Sequence, residues 1–151
     1  KRDMPDERMV ALARKVKEAL SPCAVMLTGG FWDRPFHDRL AKMGFPGEVT
    51  SGTTTGAQML SMLRRAKAFI GHQAGNTMLA HHLKCPTVLL WSKMWRDGNG
   101  IPHINDNMWT CWVKPDRIGT VYDAIEMGES DETIIKSIKR SIEVKARTRR
   151  G

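Results

Sequence analysis

The chain has 151 residues, enough for one domain with a real core. Its 41% hydrophobic and 26% charged residues are those of a globular protein, and no apolar run approaches the roughly 20 residues of a membrane span. The formal net charge of +8 is unevenly placed: residues 136–151, KSIKRSIEVKARTRRG, hold seven Lys or Arg against one Glu, a balance of +6, which leaves only +2 for the other 135 residues.

The opening KRDMPDERM is charged and polar, which is not a signal-peptide pattern. It carries no initiator Met, so a piece of a longer protein is expected. Met9, Leu12, Ala13, Val16 and Leu20 then lie on one helical face over residues 5–20, with Pro5, Asp6 and Glu7 suited to its first turn. Ala24 to Leu27 reads as a buried strand ending in the turn Thr28-Gly29-Gly30. A helix over 34–43 closes at Gly44. Glu48 to Ser51 is a short strand, followed by a polar loop with a helix N-cap at Thr54 or Thr55. Met59, Met62, Leu63 and Ala66 mark the next helical face.

Residues 68–71 form a strand, 76–83 a helix and 87–91 a strand led by Pro86. Residues 92–109 are rich in Gly, Asn and Asp and read as a long loop. Thr110 to Val113 reads as a strand and 118–127 as a helix with Asp116, Asp123 and Glu126 on a solvated face. Ile135, Ile138 and Ile142 give an apolar stripe to a basic terminal helix. The expected organisation is a single domain over 1–135 followed by a basic helix and tail over 136–151. Short apolar strands alternating with helices imply an α/β fold, Rossmann-like, with a parallel sheet covered by helices on both faces. Ligands in such sheets sit beyond the carboxyl ends of the strands. The loops after Leu27, Ser51 and Ile70 all lie at such ends and are expected to face one side.

The stretch FIGHQAGNTMLAHHLKCPTVLLW, residues 69–91, is the most informative. A helix opening near Asn76 offers unpaired N–H groups and a positive dipole end, and Gly75 admits a close ligand. Together these suit a diphosphate. The competing reading is that Gly75 serves turn geometry alone and the helix start is capped internally. His81 and His82 are adjacent, point to different helix faces and lack a third ligand at metal-site spacing, so no metal is expected. His37 and His103 are isolated in sequence. Cys23, Cys85 and Cys111 show no CxxC spacing and read as free thiols in a reducing compartment. Trp91, Trp95, Trp109 and Trp112 flank the long loop, where they either pack against the sheet edge or line a base or sugar subsite. Trp32, beside Asp33, is placed to stack on a base. The basic tail fits a solvated helix end, an anionic membrane contact or nucleic acid, and its lack of aromatic residues argues against stacking on single strands.

Four pieces, in order, resemble the C-terminal donor-binding domain of the heptosyltransferase family, inverting glycosyltransferases of the ADP-heptose:lipopolysaccharide type built from two Rossmann-like domains. They are RDMP, AVMLTGGFWDRP, SGTTTGAQMLSMLRRA and the 69–91 stretch, covering about residues 2–91. The resemblance implies that Arg2 stands where a family Lys meets the donor diphosphate and that Asp33 binds the donor ribose. It keeps Gly29 and Gly30 in the first loop, Thr53 and Thr54 at the rim, and Gly75, Asn76 and Thr77 under the phosphates. Two positions depart from the family pattern: Gln73 replaces an Asp and Met78 replaces a His, which removes a donor near the phosphates. His72 is the neighbour placed to substitute for it.

The resemblance further implies a nucleoside-diphosphate sugar as donor, an acceptor glycan or lipid-linked sugar, no cofactor beyond the donor, and no metal. It places the catalytic base in an upstream domain, so no catalytic residue is named here. A cytoplasmic location is expected, with peripheral contact to the inner face of a membrane as one reading of the tail. The alternative function is a non-catalytic binding or structural module that keeps the glycosyltransferase fold.

Overall fold

The computed structural model describes residues 4–72, 74–91, 122–126 and 128–148. Helix α1 spans Asp6–Ala19, strand β1 Met26–Leu27, helix α2 Arg34–Lys42, strand β2 Glu48–Val49 and helix α3 Gly56–Arg65. Strand β3 covers Phe69–Gly71, helix α4 Gly75–His82, strand β4 Thr87–Trp91, strand β5 Tyr122–Glu126 and helix α5 Asp131–Thr148. The chain divides into two compact units between Met62 and Leu63.

In the first unit β1 and β2 pair in parallel, Met26 opposite Glu48 and Leu27 opposite Val49. Val10, Leu12 and Val16 of α1 are buried, as are Leu40 of α2 and Met59 of α3. The expected α1 face holds at Leu12 and Val16, with Val10 added. Arg39 ties α2 to α1 through Asp6 at 2.7 Å, and Arg14 donates to the Gly44 carbonyl at 2.9 Å.

The second unit is a three-stranded parallel sheet in the order β3-β4-β5. Central β4 is paired on both edges and packs against α4 and α5, and Val88, Leu89 and Leu90 are all buried. That explains a continuous apolar run in place of alternation. Residues 122–126 correct the expected helix over 118–127. They pair with the whole of β4, from Tyr122 opposite Thr87 to Glu126 opposite Trp91. Five ladder positions on a buried central strand outweigh the local helix preference of so short a segment. The expected loop over 92–109 and strand over 110–113 lie outside the described residues, as do Cys111, Asp116 and His103.

Helix α5 begins at Asp131, earlier than the basic segment. Ser130 caps it, its hydroxyl accepting the Thr133 N–H at 3.2 Å. Asp131 and Glu132 occupy the first turn and Lys145 and Arg147 the last, the polarity the helix dipole favours. Its buried face is Ile134, Ser137, Ile138 and Ser141, whereas Ile135 and Ile142 are half-buried. The expected stripe is therefore rotated. The two small serines fill inward positions that an apolar count skips, and α5 packs there against β4 and β5.

Candidate functional site

Two sets of loop residues at strand carboxyl ends come out of this fold, one in each unit. In the first unit the loops after β1 and β2 are bonded together. The Thr50 N–H donates to the Leu27 carbonyl at 2.8 Å and the Gly52 N–H to the Gly29 carbonyl at 3.1 Å. Ser51 is fully buried between them; its hydroxyl lies 3.4 Å from the Leu27 carbonyl and also meets His37 Nδ1. Arg34 is paired with Asp38 at 2.8 Å.

Gly52 has a φ of +73°, and a Cβ there would lie 2.9 Å from the Phe31 Cα. Both the dihedral and the close approach of the neighbouring loop demand glycine. Above this base, Asp33 folds back so that its Oδ2 accepts the Gly30 N–H at 2.9 Å while its own N–H donates to the Gly30 carbonyl at 3.1 Å. A Cβ on Gly29 would meet that carboxylate at 2.5 Å, and one on Gly30 would collide with the Trp32 ring. One carboxylate oxygen thus holds the loop, and the acid expected on a ribose is fixed in place by its own backbone.

Phe31 and Trp32 stand out from the platform, 73% and 70% exposed, edge to face with centroids 5.0 Å apart. Two large aromatic side chains in water on a rigid loop offer flat surface for a base or sugar. Thr53 and Thr54 both donate their hydroxyl protons to the Thr50 carbonyl, at 3.0 and 2.8 Å. Their lone pairs are what remains for a ligand, so they accept from ribose hydroxyls or base amino groups and are poorly suited to phosphate oxygens.

Helix α3 starts from this platform with a complete capping box. Thr55 Oγ1 accepts the Gln58 N–H at 3.2 Å and Gln58 Oε1 accepts the Thr55 N–H at 2.8 Å. Of the two expected caps, Thr55 is the one used.

In the second unit α4 begins at Gly75, one residue before the expected start. Its N-cap is Ala74, in extended conformation with no side-chain cap bond. The N–H groups of Thr77 and Met78 both turn back to the Ala74 carbonyl, at 3.0 and 3.1 Å. Thr77 is buried and its hydroxyl donates to the His72 carbonyl, so this side chain braces the turn below the helix start. Among the described residues a Cβ on Gly75 meets nothing within 4 Å, and its φ is not positive. Neither turn geometry nor packing against described atoms calls for glycine at that position. Asn76 and Met78 are half-buried and His72 is exposed.

His81 and His82 close α4, rings edge to face at 5.7 Å. Burial lowers the His81 pKa, and the neighbouring His82 lowers it further. Cys85, fully buried before β4, has its thiol pKa pushed up by burial, against a smaller opposing pull from Lys145. Cys23 and Cys85 are free thiols.

The structure thus groups Gly29, Gly30, Trp32, Asp33, Thr53 and Thr54 in one unit, and His72, Gly75, Asn76 and Thr77 in the other. Arg2 and Gln73 lie outside the described residues. Phe31, Ser51, His37 and Gln58 were not expected in the site. The aromatic pair following Gly-Gly was the readable signal for Phe31, and the Thr-x-x-Gln spacing for Gln58. Among the described residues no group of three or more His, Cys, Asp or Glu is placed to hold a metal, and no helix is long and apolar enough to cross a membrane.

The fold is similar to that of E. coli ADP-heptose lps heptosyltransferase II, with a TM-score of 0.68 at 13% sequence identity over 94% of this chain and 42% of that one. It is also similar to the glycosyl transferase family 9 structure from Veillonella parvula DSM 2008, with a TM-score of 0.61 at 15% identity over 93% of this chain. The chain spans 42% of the length of each. No protein-family model and no curated protein matches the sequence. The chain therefore has a heptosyltransferase-like, Rossmann-like α/β fold, as the sequence resemblance implied.

Proposed function

We propose that this chain is the nucleotide-sugar-binding part of a glycosyltransferase that transfers sugar with inversion from a nucleoside-diphosphate donor. The observation that carries the reading is the start of α4. It is a helix N-terminus at a strand carboxyl end, with no side-chain cap from its N-cap residue Ala74, opening on a glycine that nothing described around it requires. That combination suits a diphosphate received by backbone N–H groups and the helix dipole. The Asp33 platform, with its exposed aromatic pair and outward lone pairs, suits the ribose and base.

In this reading the N–H groups at Gly75 and Asn76 stabilise negative charge as the nucleoside diphosphate departs. The resemblance assigns Arg2 to the donor diphosphate, and it assigns the acceptor site and catalytic base to another part of the whole protein. Calorimetric titration of ADP-, UDP- and GDP-sugars against the full protein tests it. Saturable binding at or below about 1 mM is expected for one of them, and no heat with any at that level overturns the proposal.

A second reading rests on Met78 and Gln73, which stand where the resemblance leads one to expect His and Asp. A module that keeps the fold without transfer would bind a donor weakly or not at all. Met78→His separates the two: a gain of roughly tenfold or more in donor affinity marks a weakened binding site, and no gain favours the non-catalytic module.

A further inference from the structure

The basic charge that the sequence concentrates at its C-terminus is joined in the fold by cations from elsewhere. In the second unit β3, β4 and β5 run in parallel, so the segments leading into them lie at one end of the sheet. Those leading into β3 and β4 are bonded side by side, with the Phe69 N–H on the Pro86 carbonyl at 2.8 Å. Arg64 and Arg65 end α3, Lys67 follows, and Lys84 ends the turn after α4; all four are exposed.

Helix α5 starts beyond the opposite end, after β5, and packs back along β4 and β5. Its 18 residues span about 27 Å, whereas the five of β5 span about 17 Å. Its last turn therefore reaches the end where the strands begin. Lys145 lies close enough to Cys85, two residues before β4, for its charge to act on that thiol. Arg147 is exposed one half-turn further.

Three acids, Glu129, Asp131 and Glu132, sit where β5 ends and α5 begins, and Glu143 is the one acid of α5 near the basic end. Lys84 adds a separate indication. It holds a φ of +53°, a conformation glycine adopts at lower cost, yet the position carries a cation.

We infer that the end of the second unit where its strands begin, carrying Arg64, Arg65, Lys67, Lys84, Lys145 and Arg147, is a docking surface for anionic phospholipid. The buried apolar face of α5 is already used against the sheet, so the contact is made at headgroup level by long cationic side chains and not by insertion. The acids at the far end orient the unit, since an anionic surface repels that end. No aromatic residue is interleaved in the basic segment 136–151, which fits a charged sheet of headgroups better than stacked bases. This inference stands apart from donor binding.

Cosedimentation of the full chain with vesicles tests it. The chain binds vesicles holding about 30% phosphatidylglycerol, ignores neutral phosphatidylcholine vesicles, and is released at about 0.5 M salt. Arg64→Gln with Lys84→Gln, both remote in sequence from the basic tail, lowers vesicle partitioning roughly tenfold or more. Lys42→Gln, on α2 of the other unit, leaves partitioning unchanged. Circular dichroism establishes that each variant is folded. Failure of the chain to bind anionic vesicles at low salt overturns the inference. So does unchanged binding by the double variant, or a preference for a 20-base-pair DNA duplex over the vesicles.

Discussion

Helices α3 and α4 both follow a strand and both open on a glycine, yet their starts are built in opposite ways. Thr55 and Gln58 close the first with two reciprocal bonds. Ala74 leaves the second without a side-chain cap. The loops beneath α3 are likewise satisfied internally, down to the threonine hydroxyls that return to Thr50. A helix start that spends its polar groups on itself is structural. One that leaves them open is less stable than it need be, and the donor-phosphate proposal rests on that difference.

The two helix starts differ most in what their glycines are needed for. Gly52→Ala forces a Cβ toward the Phe31 backbone at a positive φ, and we expect a loss of about 2 kcal/mol or more in urea unfolding. Gly75→Ala meets open space, so its stability is unchanged or slightly raised, while nucleoside-diphosphate affinity falls roughly tenfold. A large destabilisation by Gly75→Ala would mean that the turn needs glycine for its own sake.

Next in size is the cap itself. Ala74→Asp adds an acceptor and a negative charge where α4 has none, and is expected to stabilise the chain by about 1 kcal/mol. The same carboxylate occupies the place proposed for the phosphates, so donor binding is expected to be lost. Thr55→Ala is the mirror experiment on α3, costing about 1 kcal/mol with little effect on the phosphate end. If Ala74→Asp proves neutral, the α4 start is already satisfied and the phosphate reading loses its basis.

Trp32→Ala separates stability from recognition on the platform. The ring is 70% exposed, so unfolding free energy is expected to move by less than about 0.5 kcal/mol. Loss of a stacked base would cost roughly 1 to 3 kcal/mol of nucleotide binding, readable by calorimetry.

How much of this was legible follows from the range of the interactions. The α4 turn, the Gly-Gly loop and the apolar run of β4 are local patterns, and each element stands within a residue of its expected place. Thr55 and Gln58 are three apart and readable as a capping box. The His37–Ser51 contact joins α2 to the loop after β2, and only the fold brings those two together. Strand β5 exists because β4 offers it an open edge, which nothing within YDAIE announces. The rotated face of α5 hid behind Ser137 and Ser141, buried for their small size and not for apolarity. The basic end of the second unit was half visible: the tail was plain in the sequence, but its meeting with Arg64 and Lys84 depends on strand direction.

The smallest effect concerns the other end of α4. A helix C-terminus favours a protonated histidine, but burial opposes the charge on His81 and the neighbouring His82 opposes it further, and together these win. The folded chain therefore takes up the His81 proton at lower pH than the unfolded chain does. Stability from this residue is complete above the ordinary histidine range, about pH 6.5, and is lost as pH falls through the lower folded value. Urea midpoints measured from about pH 7.5 down to about pH 5.5 should decline, and His81→Gln should flatten that decline. A slope unchanged by His81→Gln would assign the decline to other groups. A slope of opposite sign would mean that His81 is protonated in the folded chain, with the helix C-terminus outweighing burial and His82.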